Sequence, residues 1–499
     1  MKVTNLMIAL SPLLASALLT YFTYVDLITL WLAFGVWLSM VTGLFVFLNY
    51  AVVSRRAKRY FVNSVSSNPK FKIASFVTSF NEDPEIVKGT LISVKLATKD
   101  GEVFLLDDST KAEIREELER FCRENNITYF HRENRRGFKG GAINDALKRI
   151  GDKFDLVAIF DADQRPLENF FEEVTPYFSD PRVAMVQIPQ NYSETTSKIS
   201  FGAKYQQEPF LRVIMRGRSN SSAFSLGSGS VFRISALKDI GYFAEYSITE
   251  DAATSILLNE RGYITVYADV NLIWYGEPPQ DLPSYLTQQS RWSFGYFQLF
   301  TKLLRSDLRA SQFFDYFSGF LYWIKEGPGA LLEFLSPAVF LIFKLPVVKI
   351  NPILYIALYI PYMLITLVLF AYSVKDKGEG YGIKGFYYHQ VVEYLAFFAI
   401  TLSFLSWLAR RRIPFKVTPK GGRGSRSFKP LIPHFLITSM LTVSLVLGSY
   451  WLAHSEGVLR YAIAVNVFWA SYQIPFLLGG IAFSLARSEE RDLYVEVQR

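Results

Sequence analysis

The placement of charge along these 499 residues constrains the fold more than any single motif does. Residues 6–24, 27–53, 351–374, 431–453 and 461–486 hold no Asp, Glu, Lys or Arg, and each run is long enough to span a bilayer. Charged residues crowd into positions 54–310 instead. That segregation is the profile of a membrane protein holding one soluble domain, in a chain longer than one hydrophobic core organises. The expected division is 1–54 as two N-terminal transmembrane helices, 55–310 as the soluble domain, and 311–499 as transmembrane and interfacial helices.

Basic residues orient the chain. Arg55, Arg56, Lys58 and Arg59 follow the second run and hold the soluble domain on the cytoplasmic side. The first run follows Met1-Lys2 and is succeeded at once by another, which reads as an uncleaved anchor. Residues 327–343 make a poorer span, carrying Glu333 and preceded by Lys325 and Glu326; an acid at that depth should face protein or water. Residues 386–409 are apolar enough to cross. A crossing there would carry Arg410, Arg411, Arg412, Lys416, Lys420, Arg423 and Arg426 outside, so this segment is expected to lie in the cytoplasmic interface. Six spans with both termini inside follow.

The single cysteine, Cys122, excludes an internal disulfide, and His131, His389, His434 and His454 lack the spacing of a structural zinc site. The net charge of +8 sits beside apolar runs, which favours a bilayer surface over nucleic acid as the partner.

Within the soluble region the pattern alternates between strand and helix. Residues 73–78, 103–106, 127–130 and 156–160 read as strands, with helices over 84–97, to about 124, and to 150. Such repetition predicts a mostly parallel α/β sheet covered by helices on both faces. Asp107-Asp108 and Asp161-Ala162-Asp163 each follow a strand, so both acidic pairs belong at carboxyl ends, where open α/β sheets bind ligands. Asp161 and Asp163 suit a hard divalent cation that grips a diphosphate through oxygen. The plainer reading of Asp107 and Asp108 is a turn. Lys139-Gly140-Gly141 reads as a basic turn, or as a loop whose backbone can approach phosphate. Thr249-Glu250-Asp251 reads as a capped helix start. Gln288, Arg291 and Trp292 share one helix face, which by itself describes an interfacial helix.

Taken in order, Ser79-Phe80-Asn81-Glu82, Asp107-Asp108, Lys139-Gly140-Gly141, Asp161-Ala162-Asp163, Thr249-Glu250-Asp251 and Gln288-Gln289-Ser290-Arg291-Trp292 resemble the motifs of inverting, membrane-embedded family 2 glycosyltransferases, the cellulose synthase and hyaluronan synthase group. The resemblance implies a GT-A-like, Rossmann-like catalytic domain. It implies that Asp107 and Asp108 hold the nucleotide, that Lys139 and Asp161 meet the donor diphosphate, and that Asp161 and Asp163 bind Mg²⁺ or Mn²⁺. Asp251 becomes the general base, with Glu250, Gln288, Arg291 and Trp292 at the acceptor and diphosphate. Gly227-Ser228-Gly229-Ser230 resembles a glycine-rich acceptor loop. Segment 413–424, with Phe415, Val417, Thr418 and Lys420, resembles the gating loop of cellulose synthases. Two positions depart from the pattern: Ala142 replaces a frequent Asn, and Gln164 stands where many cellulose synthases have His.

The implied activity is processive: a UDP- or GDP-sugar extends a β-linked polysaccharide that passes into a transmembrane channel. The partners are then a nucleotide sugar, a growing glycan and the lipid bilayer, and nothing in the sequence specifies accessory subunits. One alternative is transfer of a single sugar to a polyprenyl or dolichyl phosphate-linked acceptor. Another is a nucleotide-binding transporter or receptor, which leaves Asp251 and the Gln288–Trp292 face without a role.

Overall fold

The computed structural model describes residues 2–58, 70–193, 195–374, 381–411 and 428–486. Its centre is a seven-stranded mixed sheet. The strands are β1 (Ile73–Ser79), β2 (Glu102–Asp107), β3 (Thr128–His131), β4 (Leu156–Asp161), β6 (Val183–Gln187), β7 (Ser230–Arg233) and β8 (Ile264–Tyr267), ordered β3-β2-β1-β4-β7-β6-β8. A separate two-stranded ribbon pairs β5 (Arg165–Pro166) with β9 (Ile273–Tyr275).

From β3 to β4 all pairings are parallel, as the strand–helix alternation predicts. β1 and β4 lie between other strands and bury all or nearly all of their residues, which is why they read as continuous apolar runs. Beyond β4 the sheet departs from the expectation, because β7 enters antiparallel between β4 and β6. Pro84 opens the helix Pro84–Thr98, whose start is capped by Asp83 accepting from the Glu85 N–H at 3.0 Å.

Seven helices among the described residues are long and apolar enough to cross a membrane: Val3–Thr23, Leu30–Ala57, Ala310–Phe343, Ile353–Tyr372, Gly382–Leu408, Lys429–His454 and Gly457–Leu485. The span expected over 327–343 starts earlier, as one helix running through a π-helical turn at Lys325–Gly329. Lys325 and Glu333 lie 2.9 Å apart inside it, and Ser39 donates to Glu333 at 2.8 Å. Hydropathy scores those charges singly, whereas here each has a partner. The helix Gly382–Leu408, expected in the interface, meets the same length and apolarity criterion. It packs on Lys198–Pro209 and Leu282–Arg305 of the sheet domain, where a Cβ on Gly202 would sit 2.2 Å from a Val392 methyl carbon.

The sheet domain and the membrane helices meet at one carboxylate. Asp315, fully buried on Ala310–Ile324, accepts from Asn49 at 2.7 Å, Arg56 at 2.8 Å and Ser222 at 2.6 Å. Its backbone carbonyl accepts from Arg218. Two of these donors come from Leu30–Lys58, one ends the helix Arg216–Arg218 and one lies in the turn after it. At Gly217 the two parts touch through backbone, since a Cβ there would lie 2.1 Å from the Val53 carbonyl oxygen. Removing the acid leaves Arg56 and two polar donors, Asn49 and Ser222, without their acceptor. Asp315→Ala is therefore expected to destabilise the detergent-purified protein by about 3–5 kcal/mol, against a smaller loss for Asp315→Asn, read as the unfolding midpoint.

Candidate active site at the carboxyl edge of the sheet

Strand register puts the acidic residues on one line. Ser79 at the end of β1 pairs with Asp107 on one side, and Thr78 pairs with Asp161 on the other. Ser230, opening β7, pairs with Ile159 and Gln187, so the loop 227–229 arrives at the same edge. Asp161 is the last residue of β4, and Asp107 the last of β2.

At the Asp107 end both carboxylates are already engaged. Asp107 accepts from the Ser109 hydroxyl at 2.6 Å and from Tyr129 at 2.8 Å. Burial and the Asp107 charge raise the Tyr129 phenol, keeping it a donor. Asp108 is gripped from both oxygens by Arg132, at 2.9 and 2.6 Å. The same guanidinium donates to the carbonyls of Arg136 and Phe138 at 3.0 and 2.9 Å. Arg132 thereby ties Asp108 to the turn that presents Lys139. A carboxylate retains lone pairs after two such bonds, so a ribose or base can still donate to it.

Lys139-Gly140-Gly141 is helical, which differs from the loop expected. The helix Phe138–Ile150 begins after Gly137, whose φ of +66° makes the left-handed entry. Gly141 has no alternative, because its Cβ would stand 1.9 Å from the Arg136 carbonyl oxygen. That first turn sends the Lys139 ammonium onto the Asp161 carboxylate and, at 2.7 Å, onto the Gly227 carbonyl.

Asp251 completes the group. A Cβ on Gly227 would be 3.1 Å from Asp251 Oδ2 and 3.5 Å from Lys139 Nζ, so the three residues share one small space. Asp251 sits in the first turn of Glu250–Glu260 and accepts from the Ala252 N–H at 2.8 Å. Thr249 occupies the expected N-cap position but makes no capping bond; its hydroxyl lies 3.1 Å from that of Ser247, and its side chain fills the space over Gly295. Desolvation raises both acids above their ordinary values, Glu250 to about 7, where the Asp251 charge is the second cause. The charges of Lys139 and Arg291 oppose the rise in Glu250.

Leu282–Arg305 carries Gln288, Arg291 and Trp292 together, as expected. Gln288 donates to Tyr192 at 3.3 Å, and Trp292 is half-buried against the aromatic core between this helix and the membrane helices. Arg291 reaches the acids electrostatically through Glu250, while no described bond joins Gln288 or Trp292 to Asp251. Phe415, Val417, Thr418 and Lys420 lie outside the described residues.

Several supporting residues were not foreseen. Gln187 donates to the Ser228 carbonyl at 2.7 Å and accepts from the Leu226 N–H at 2.8 Å, holding the 226–229 turn. Arg132 and Tyr129 belong to the same group. A polar residue closing an apolar strand is the one signal that could have flagged Gln187.

Asp161 is half-exposed and Asp163 is buried, accepting from the Glu277 N–H at 3.4 Å. Among the described residues no three His, Cys, Asp or Glu side chains gather as an ion cage. This donor set fits a Mg²⁺ or Mn²⁺ ion that keeps waters and takes the remaining ligands from a diphosphate.

A mixed α/β sheet with an acidic carboxyl edge, docked on apolar helices, is a GT-A-like fold. Residues 156–373 match the family described as glycosyl transferase family group 2. It is 26% identical over 437 residues to the cellulose synthase catalytic subunit (UDP-forming) of Pseudomonas fluorescens, covering 84% of this chain and 57% of that one. To cellulose synthase 1 of Komagataeibacter xylinus it is 26% identical over 435 residues, covering 84% and 27% respectively. The chain thus spans about half, or less, of the length of these relatives. A solved mannosyltransferase from Pyrobaculum calidifontis, in complex with GDP-Man and Mn²⁺, shares the fold with a TM-score of 0.52 at 15% identity, over 75% of this chain and 99% of that one.

The raised acid has a stability consequence. Between its ordinary value of 4.5 and about 7, Glu250 holds a proton that the unfolded chain has lost, so its contribution to stability declines as pH rises through that window. Glu250→Gln should flatten the decline in unfolding midpoint measured across that range.

Proposed function

We propose that the chain is an inverting, processive glycosyltransferase. It uses a cytoplasmic nucleotide sugar to extend a β-linked polysaccharide and passes the product between its own membrane helices. The observation that carries this reading is the convergence of Lys139, Asp161, Gly227 and Asp251 in one partly desolvated space. A UDP-sugar is favoured over a GDP-sugar by the UDP-forming relatives.

In this reading Asp107, Asp108 and the Arg132 that holds Asp108 form the nucleotide end. Lys139 leaves its internal partners to meet the diphosphate as a mobile point charge. Asp161, supported by Asp163, would hold a divalent cation, which neutralises charge on the departing nucleoside diphosphate. Arg291 faces that charge from the membrane side. The acceptor hydroxyl gives its proton to Asp251 as its oxygen bonds the anomeric carbon. The bond from that carbon to the diphosphate oxygen breaks on the opposite face, and the nucleoside diphosphate leaves. Desolvation of Asp251 suits it to this task, since a raised carboxylate is a stronger base near neutral pH. Trp292 offers an indole for the C–H face of the acceptor ring. Positive-inside logic keeps the domain, the segment 413–424 and both termini in the cytoplasm of a multi-pass membrane protein.

The deciding experiment feeds labelled UDP- and GDP-sugars to the purified chain and sizes the product. Long, protease-resistant glycan is expected; only short, lipid-extractable product would overturn processivity. Asp251→Asn should lower kcat by about 10²–10⁴ while donor affinity stays within a few-fold. Full turnover in that variant would remove Asp251 from its role. Chelation by EDTA should stop turnover and Mg²⁺ or Mn²⁺ restore it; metal-independent transfer would reassign Asp161 and Asp163.

A further inference from the structure

Two cations leave the turn that opens the helix Phe138–Ile150. Lys139 goes to the diphosphate end of the acidic edge, against Asp161 and the Gly227 carbonyl. Arg135 goes to the nucleotide end, and it has no part in the transfer steps proposed for the other residues.

The Arg135 guanidinium carbon lies 3.3 Å from the centroid of the Phe80 ring, so the charged group rests on the ring face. Phe80 is a fixed platform. Asn81, next in the chain, takes a left-handed φ of +52° and donates its N–H to the Ser109 hydroxyl at 2.8 Å. Its side-chain oxygen accepts from the Thr110 N–H at 2.9 Å. These bonds bolt the loop after β1 to the loop that carries Asp107 and Asp108. Arg135 is braced as well, because its carbonyl accepts from the Phe138 N–H at 3.0 Å.

The guanidinium is nevertheless short of an acceptor. Asp108 Oδ2 stands 4.0 Å from Arg135 Nε, too far for a hydrogen bond, and Arg132 already holds both Asp108 oxygens at 2.9 and 2.6 Å. Arg135 Nε is buried without a partner among the described residues. The residue before Phe80 repeats the condition, since the buried Ser79 hydroxyl is also unpartnered there. Buried donors of this kind are costly unless a ligand supplies the acceptor.

Geometry limits what that ligand presents. Phe80 covers one face of the guanidinium, and the N–H groups point outward in its plane, so the acceptor must arrive edge-on. Uracil and guanine carry a ring carbonyl beside an imino N–H, which matches a guanidinium donor beside a carboxylate acceptor. Cytosine and adenine carry an amino group at that place and set donor against donor.

We propose that Arg135 is a specificity-determining residue for the donor base: held on Phe80 beside Asp108, it donates to the carbonyl of a keto base and rejects amino bases. The inference rests on the reading of the acidic edge as a nucleotide-sugar site and adds how the base is chosen.

UDP and CDP test it, because their bases differ only at the C4 substituent and the adjoining N3. Full-length protein in detergent with Mg²⁺ is titrated with each by calorimetry. The wild-type chain should bind UDP about ten-fold or more tighter than CDP. Arg135→Met removes the donors and should weaken UDP by about ten-fold while CDP changes by less than about three-fold. Arg135→Lys keeps the positive charge without the planar fork, and should recover no more than about three-fold of the lost preference. It also keeps the test valid if Arg135→Met misfolds, which the unfolding midpoint reports. Equal weakening of UDP and CDP makes Arg135 a general electrostatic or structural contact and overturns the proposal. A UDP-to-CDP ratio unchanged in both variants does the same and leaves the choice of base to the carboxylates. So does a wild-type chain that prefers CDP or does not discriminate. Sugar transfer by the wild-type chain is measured in parallel. Failure to bind UDP, CDP or GDP, together with no transfer, refutes the transferase reading itself; transfer beside an unchanged ratio refutes only the role of Arg135.

Discussion

A buried carboxylate must be compensated or it destabilises the fold, and Asp315 is compensated by donors from both halves of the molecule. Its consequences reach the site through a few residues. Ser222 binds Asp315; three positions on, the Ser225 N–H binds Ser255, whose hydroxyl in turn donates to the Asp251 carbonyl at 2.9 Å. Two positions further, the Gly227 carbonyl receives Lys139. The geometry of the acidic edge is therefore continuous with the packing of Leu30–Lys58 on Ala310–Ile324. A domain held by a flexible linker would have no such continuity.

Electrostatics organises the rest of the edge. Two carboxylates on it have a direct partner, Arg132 for Asp108 and Lys139 for Asp161, while Glu250 feels the charge of Lys139 and, after it, that of Arg291. Asp251 and its neighbour Glu250 are the members whose surroundings are dominated by desolvation; for Asp251 the Ala252 N–H and Lys139 offset only part of it. A carboxylate gripped by arginine is suited to positioning, and one left to its burial to accepting a proton.

Much of this arrangement was legible in the sequence, and the reason is periodicity. β1, β2, β3 and β4 alternate with helices whose apolar faces repeat at the helical period, so their order and parallel pairing follow from local pattern. The carboxyl-end positions of Asp107 and Asp161 come with them. What stayed hidden depends on contacts between distant segments. β7 is four residues long, follows a glycine-rich turn, and takes its antiparallel place only because β4 and β6 leave a gap for it. Arg132 reads as one more charge in a basic stretch until Asp108 meets it. Lys325 and Glu333 look like interruptions of a span because their pairing, with Ser39 arriving from another helix, is invisible to hydropathy.

The aromatic layer under the helix Leu282–Arg305 has a practical meaning. Phe300 and Phe320 stack at 4.3 Å, Phe297 packs face to face on Trp407 at 5.8 Å, and Phe297 is fully buried only because helices beyond residue 310 cover it. A shortened protein made from residues 55–310 would present that layer, and the unpaired Arg218, to water. Its exposed apolar patch would drive self-association before any sugar chemistry could be observed. Activity assays accordingly call for the protein in a bilayer or a detergent micelle, and biochemical dissection has to proceed by point substitution rather than by excision.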